Sequence, residues 1–180
     1  MGRLFYIMGK SASGKDTIYQ RLLRNPEFSL ERLVIYTTRP IRDGELDGRE
    51  YHFVTEEDFQ KLKAAGKIIE DRGYETVYGL WRYFTADNMD LEEKNYLGIG
   101  TLESYEKLKA YYGEEKIRPI YIEVEDGERL KRAIAREETQ EAPKYEEMCR
   151  RFLADAQDFS EEKIRQAGIS HRFSNMDGAG

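Results

Sequence analysis

Nine residues near the start of the chain, Gly9, Lys10, Ser11, Ala12, Ser13, Gly14, Lys15, Asp16 and Thr17, have the outline of a loop that holds phosphate. Glycines let successive backbone N–H groups turn inward toward phosphate oxygens, the following helix offers its positive end, and the lysine reaches the terminal phosphates. The pattern G-x-x-x-x-G-K-[ST] asks for a hydroxyl after the lysine, and this chain has Asp16 there, with Thr17 one residue later. A carboxylate at that place either holds Mg²⁺, directly or through water, or repels the phosphates. Further on, Arg39 and Arg42 stand three residues apart with Tyr51 beyond them. Two guanidinium forks and a phenol suit a phosphomonoester dianion, although either arginine alone could pair with Asp43, Glu45 or Asp47.

The elements that must position these groups are legible in outline. Leu4 to Met8 is a short apolar run ending in glycine, which predicts a buried parallel strand feeding the loop, and Ile18, Leu22 and Leu23 follow at helical spacing. Leu33 to Tyr36 reads as a second strand and Tyr51 to Val54 as another, separated by a polar, turn-rich stretch. Thr55, with Asp58 three residues on, predicts a capped helix ending near Gly66, and Ile68–Ile69 begin an extended piece that continues through "RGYETVYGLWRYFTADN". Strand and helix then alternate: "NYLGIG", a helix over Leu102–Tyr112, "RPIYIEVE", a helix capped by Asp126, an amphipathic helix over Tyr145–Phe159, and "ISHRFSN" as a last strand. Such alternation predicts an α/β fold with a parallel sheet flanked by helices.

Composition narrows the classes. The 180 residues are expected to form one domain, with a net charge of −6 that disfavours a nucleic-acid partner held by phosphate neutralisation. The single cysteine, Cys149, has no partner for an internal disulfide. The apolar run before Gly9 is too short for a signal peptide or a membrane span, so no membrane association and a cytoplasmic location are expected.

The segment "YTTRPIRDGELDGREYHFV" closely resembles the acceptor-binding segment of guanylate kinases, T-T-R-x-x-R-x-G-E-x-x-G-x-x-Y-x-F-V. The resemblance implies a P-loop NTPase-type sheet with an acceptor-binding insertion at about 36–85, a core of 1–35 and 95–180, and a helical lid at about 132–151. By the same resemblance, ATP binds at residues 9–17 and Asn175, Mg²⁺ near Asp16 and Thr17, and GMP at Arg39, Arg42, Tyr51, Glu70 and Tyr78. Glu70 would face the guanine N1 and N2 hydrogens and Tyr78, in "VYG", the phosphate. Lys15, Arg42 and the lid arginines Arg132, Arg136 and Arg151 would stabilise the transferring phosphoryl group. The family's serine before T-T-R is Ile35 here, its hydroxyl after Y-G is Leu80, and two aspartates of a strand are Gly98 and Gly100. On this reading the guanine site is eroded, Asp16 restores the lost negative charge, and "LWRYFTADNMDLEEK" replaces a longer helix. The implied activity is transfer of the γ-phosphoryl of MgATP to a nucleoside monophosphate, with two alternatives: a kinase for another phosphorylated small molecule, or a non-catalytic interaction module. Modules of the last kind typically lose the phosphate loop, which this chain keeps.

Overall fold

In a computed structural model, which describes residues 1–176, the chain forms two sheets. The first is wholly parallel, with spatial order β2 (Leu30–Arg32), β7 (Asn95–Ile99), β1 (Leu4–Met8), β8 (Ile117–Glu123) and β9 (Arg172–Ser174). The second, β4 (His52–Phe53), β3 (Tyr36–Thr37), β6 (Gly79–Ala86) and β5 (Ile68–Thr76), lies in sequence between β2 and β7. It is mixed: β3 runs parallel to β4 and antiparallel to β6, and β5 and β6 form an antiparallel hairpin.

Alternation along β1 sends its side chains to two different layers. Leu4, Tyr6 and Met8 join a core with Leu102, Tyr105 and Leu108 of α3 (Leu102–Tyr112) and Ile164 of α6 (Glu161–Gln166). Ile7, with Phe5 beside it, packs on Tyr19, Leu22 and Leu23 of α1 (Lys15–Arg24). Helices therefore cover both faces, as a parallel sheet requires. In the second sheet Phe84 meets Phe59 of α2 (Glu56–Ala64) edge-on, with ring centroids 4.9 Å apart. Helix α2 begins in the expected capping box, Thr55 Oγ1 accepting from the Asp58 amide at 3.1 Å and the Asp58 carboxylate accepting from the Thr55 amide at 3.0 Å.

Three local expectations need correction. The run Leu33–Tyr36 is not one strand: β2 ends at Arg32, the Leu33 amide still donates to the Leu97 carbonyl at 2.9 Å, and the chain then crosses to the second sheet at Tyr36. Asp126 does not cap α4 (Asp126–Glu138); it is the first helical residue, and its carboxylate accepts from Arg129 at 2.8 Å instead. The extended piece beginning at Ile68 is two strands, β5 and β6, joined by a turn at Val77–Tyr78. Finally, α5 (Tyr145–Asp158) is followed by α6, a six-residue helix too short to leave a periodic signal.

Candidate active site

Successive crossovers leave β1 and β7 in opposite directions, so a crevice opens beyond their carboxyl ends, the usual ligand position in open α/β sheets. The glycine loop leaves β1 there. Gly14 takes the left-handed conformation (φ 83°) just before α1, and Ala12 takes it too (φ 61°), a strain of about 1–2 kcal/mol for a residue with a Cβ. Among the described residues the amides of Ala12, Ser13 and Gly14 donate to no protein acceptor, which leaves three backbone donors available to an anion. Lys15 stands at the first helical position, its side chain 21% exposed and its Nζ 3.9 Å from Asp16 Oδ2. The Asp16 carboxylate is 86% exposed, and Thr17 is exposed beside it.

The outer limb of the loop is held by two groups that sequence reasoning missed, Asp155 and Arg129. Asp155 of α5 accepts from the Ser11 amide at 2.9 Å and from the Ser11 hydroxyl. Arg129 of α4, fully buried, donates to the Ser11 carbonyl at 3.0 Å, lies 3.5 Å from Asp155 and covers the Phe152 ring at 4.6 Å. Lys10 reaches Asp126 at 3.4 Å. Asn175 approaches from behind, donating from Nδ2 to the Ser13 carbonyl at 2.9 Å, and its amide stands where a Cβ on Gly14 would be. The one available signal was the i, i+3 spacing of Asp126 and Arg129.

The expected acceptor groups divide. The hydroxyls of Thr37 and Thr38 bind the backbone of Arg82 on β6, which fixes the turn that aims Arg39. Arg39, 4% exposed, gives both arms of its fork to Glu45 at 2.9 Å and lies against the rings of Tyr51 and Phe53. Glu45 also accepts from the Arg42 amide at 2.8 Å, and the Arg39 hydrogen bonds hold its carboxyl below the usual range. Arg42 is exposed, and its guanidinium makes no hydrogen bond among the described residues. Glu70 is buried at 7% exposure with one side-chain partner, the Thr85 hydroxyl at 3.2 Å, and it lines a cavity of about 390 Å³ with Thr101 and Ser104, which follow β7. Tyr78 is not brought to this group. It sits at the turn of the β5–β6 hairpin, 81% exposed and stacked on Trp81 at 6.0 Å.

Of the arginines expected on a lid, Arg136 and Arg151 are exposed, and their guanidinium groups make no hydrogen bond among the described residues. Arg132 is engaged: it donates to the carbonyls of Asn175 at 2.8 Å and Met176 at 2.9 Å, and to Glu128 at 3.2 Å. The volume left by Gly98 in β7 and Gly100 just beyond it is filled by Tyr6. A Cβ on Gly98 would lie 2.8 Å from the Tyr6 ring, and one on Gly100 would strike its hydroxyl. Burial, with the Glu70 charge adding to it, pushes the Tyr6 phenol well above its ordinary value. The missing aspartates are thus answered next door by bulk.

A glycine loop between the first strand and first helix of a parallel five-stranded sheet defines a P-loop α/β protein. The guanylate kinase family model matches residues 1–163, and the chain belongs to that family. It is 32% identical over 157 residues to the guanylate kinase of Wolbachia pipientis wMel, covering 87% of this chain and 75% of that one. To the guanylate kinase of Wolbachia sp. subsp. Brugia malayi it is 36% identical over 124 residues, 68% of this chain and 60% of that one, and to that of Vibrio parahaemolyticus the match spans only 45% of the relative. The crystal structure of guanylate kinase from Anaplasma phagocytophilum superposes with a TM-score of 0.57 at 20% identity, covering 97% of this chain and 77% of that one, which is a likeness of fold.

Proposed function

We propose that the protein is an ATP-dependent phosphotransferase that passes the γ-phosphoryl group to a nucleoside monophosphate, GMP to GDP. One observation carries this beyond family membership: an anion-binding loop leaves β1, and beyond the end of the neighbouring β7 lies a cavity with the buried, nearly unpartnered carboxylate of Glu70 in its wall. A carboxylate in that state is a ready acceptor for the N–H groups of a base. In this reading the second sheet, within residues 36–85, carries the acceptor, and the segment 132–151 is the lid. Lys15 and Arg42 follow the developing charge, joined by Arg136 and Arg151 when the lid closes; the protein's task is position and charge rather than covalent chemistry.

Magnesium fits on modest terms. Among the described residues no group of three or more His, Cys, Asp or Glu could hold a metal, but Asp16 and Thr17 offer two exposed oxygen donors at the mouth of the loop. A Mg²⁺ ion brought in with nucleotide phosphates keeps most of its water and needs no more than that. When bound, the ion neutralises phosphate charge. Asp16 and Thr17 are the residues that would hold it.

The test is ATP consumption across nucleoside and sugar monophosphates, repeated with Lys15→Ala. GMP is expected to be the best acceptor, and the substitution is expected to lower turnover by about two to three orders of magnitude, as removal of one preorganised charge-stabilising group does. Unchanged turnover in Lys15→Ala would take the loop out of the mechanism. Turnover with sugar phosphates alone would move the acceptor to the other class.

A further inference from the structure

The two faces of the β5–β6 hairpin have different tasks. Alternate residues of a strand share a face, so Glu70, Arg72 and Tyr74 lie together with their cross-strand partners Thr85, Tyr83 and Trp81. The other face packs on α2, with Phe84 on Phe59 and Arg82 over the Phe59 ring at 4.4 Å and bonded to Glu56 at 2.8 Å. Leu80 belongs to that second face, against Gly73, so the hydroxyl it lacks is not missing from the cleft. The Glu70 face lines two cavities: the one of about 390 Å³ already described, and one of about 340 Å³ bounded by Ile35, Tyr51, Tyr74, Trp81 and Tyr83. Arg72 lines both.

Arg39 is paired with Glu45 and Arg82 with Glu56, and Arg42 points to solvent, whereas the Arg72 guanidinium lines both cavities and makes no hydrogen bond or ion pair among the described residues. It stands two residues from Glu70, about 7 Å along the strand, within reach of two long side chains converging on one ring. We propose that Arg72 reads the acceptor base, donating its fork to guanine O6 and N7 while Glu70 accepts from N1–H and the N2 amino group. The assignment rests on the phosphotransferase reading above. A guanidinium fork matches the O6/N7 pair of guanine and no other base edge so well, and the Glu70 carboxylate matches the adjoining donors. Ile35, in the wall of the second cavity, has no polar atom to offer there; Arg72 supplies the donor. Adenine inverts both contacts, setting an amino group against the guanidinium and a bare ring nitrogen against the carboxylate.

The experiment is kcat/KM for GMP, IMP, AMP and 7-deaza-GMP with the parent protein, Arg72→Ala and Arg72→Lys, together with ATP affinity. Arg72→Ala is expected to lower GMP and IMP together by about 10- to 100-fold, to lower 7-deaza-GMP less, and to leave AMP and ATP affinity unchanged, so that the GMP to AMP ratio collapses. Lysine recovers only part, because an ammonium cannot fork. An equal loss on all four acceptors would overturn the proposal by making Arg72 a phosphate contact, and an unmoved GMP to AMP ratio would make it a bystander. Both outcomes leave the phosphotransferase reading standing. A parent protein that turns over none of the purine monophosphates overturns that reading, and this assignment with it.

Discussion

At the scale of single residues, Arg39 and Arg42 have near-identical sequence settings and opposite fates. Arg39 is buried and fully engaged by Glu45, while Arg42 lends only its amide to the same carboxylate and keeps its guanidinium in solvent. Arg42→Ala should therefore weaken the acceptor by roughly 1.5 to 3 kcal/mol, seen as a raised KM for GMP at unchanged thermal midpoint. Arg39→Ala should instead destabilise the fold by about 1–3 kcal/mol, because a buried guanidinium and its paired hydrogen bonds to Glu45 are lost; chemical denaturation measures it. If the two variants behaved alike, the division of labour would be wrong. The spacing of these residues was legible in the sequence, as was the loop at residues 9–17. Which arginine is held and which is free was not, since either could reach any of three nearby acids. Arg72 escaped notice for a different reason: its neighbour Tyr83 is a cross-strand partner, adjacent only once the hairpin has formed.

At the scale of elements, β1 and β7 fit as bulk against vacancy, Tyr6 lying over Gly98 and Gly100. Gly100→Ala alone should destabilise by about 1–3 kcal/mol through overpacking. Combined with Tyr6→Ala it should cost markedly less than the sum, and a coupling of at least about 0.5 kcal/mol in a double-mutant cycle measures the fit. Strict additivity would mean the two strands do not share that volume. Most elements of the first sheet were readable, because a continuous apolar run ending in glycine and the 3.6-residue rhythm of α3 and α5 are strong signals. Strand β6 was legible only as part of one extended piece running on from Ile68. Its two faces, Leu80–Arg82–Phe84 and Trp81–Tyr83–Thr85, are both mixed in polarity, one serving α2 and the other the cleft, so no alternation sets it apart from β5 in the sequence. Helix α4 was readable, but its start was misassigned because Asp126 looks like a cap and serves Arg129.

At the scale of the molecule, carboxylate–arginine pairs fasten each part: Glu45 to Arg39 and Glu56 to Arg82 in the second sheet, Asp126 to Arg129 beside the loop, and Glu161 to Arg172 between α6 and β9. Hydrogen bonds from the arginines hold all four carboxyls below their ordinary range. A folded-state pKa below the unfolded one contributes stability that is present above about pH 5 and lost as pH falls through the depressed values. On the alkaline side burial raises the phenols, Tyr121 to about 12 and Tyr6 and Tyr112 with it. Folded-state values above the unfolded one near 10 mean stability that is kept below about pH 10 and lost above it. The thermal midpoint should be level through neutral pH, falling below about pH 5 and above about pH 10; a midpoint level down to about pH 3 would dismiss the pairs as fastenings. The chain's single tryptophan, Trp81, lies in the wall of the cavity that Arg72 and Tyr51 share. A lone indole there is a built-in optical gauge: its emission should respond when a purine monophosphate enters the cleft and stay unmoved when ATP alone meets the loop, so that binding of the acceptor can be followed in the unlabelled protein.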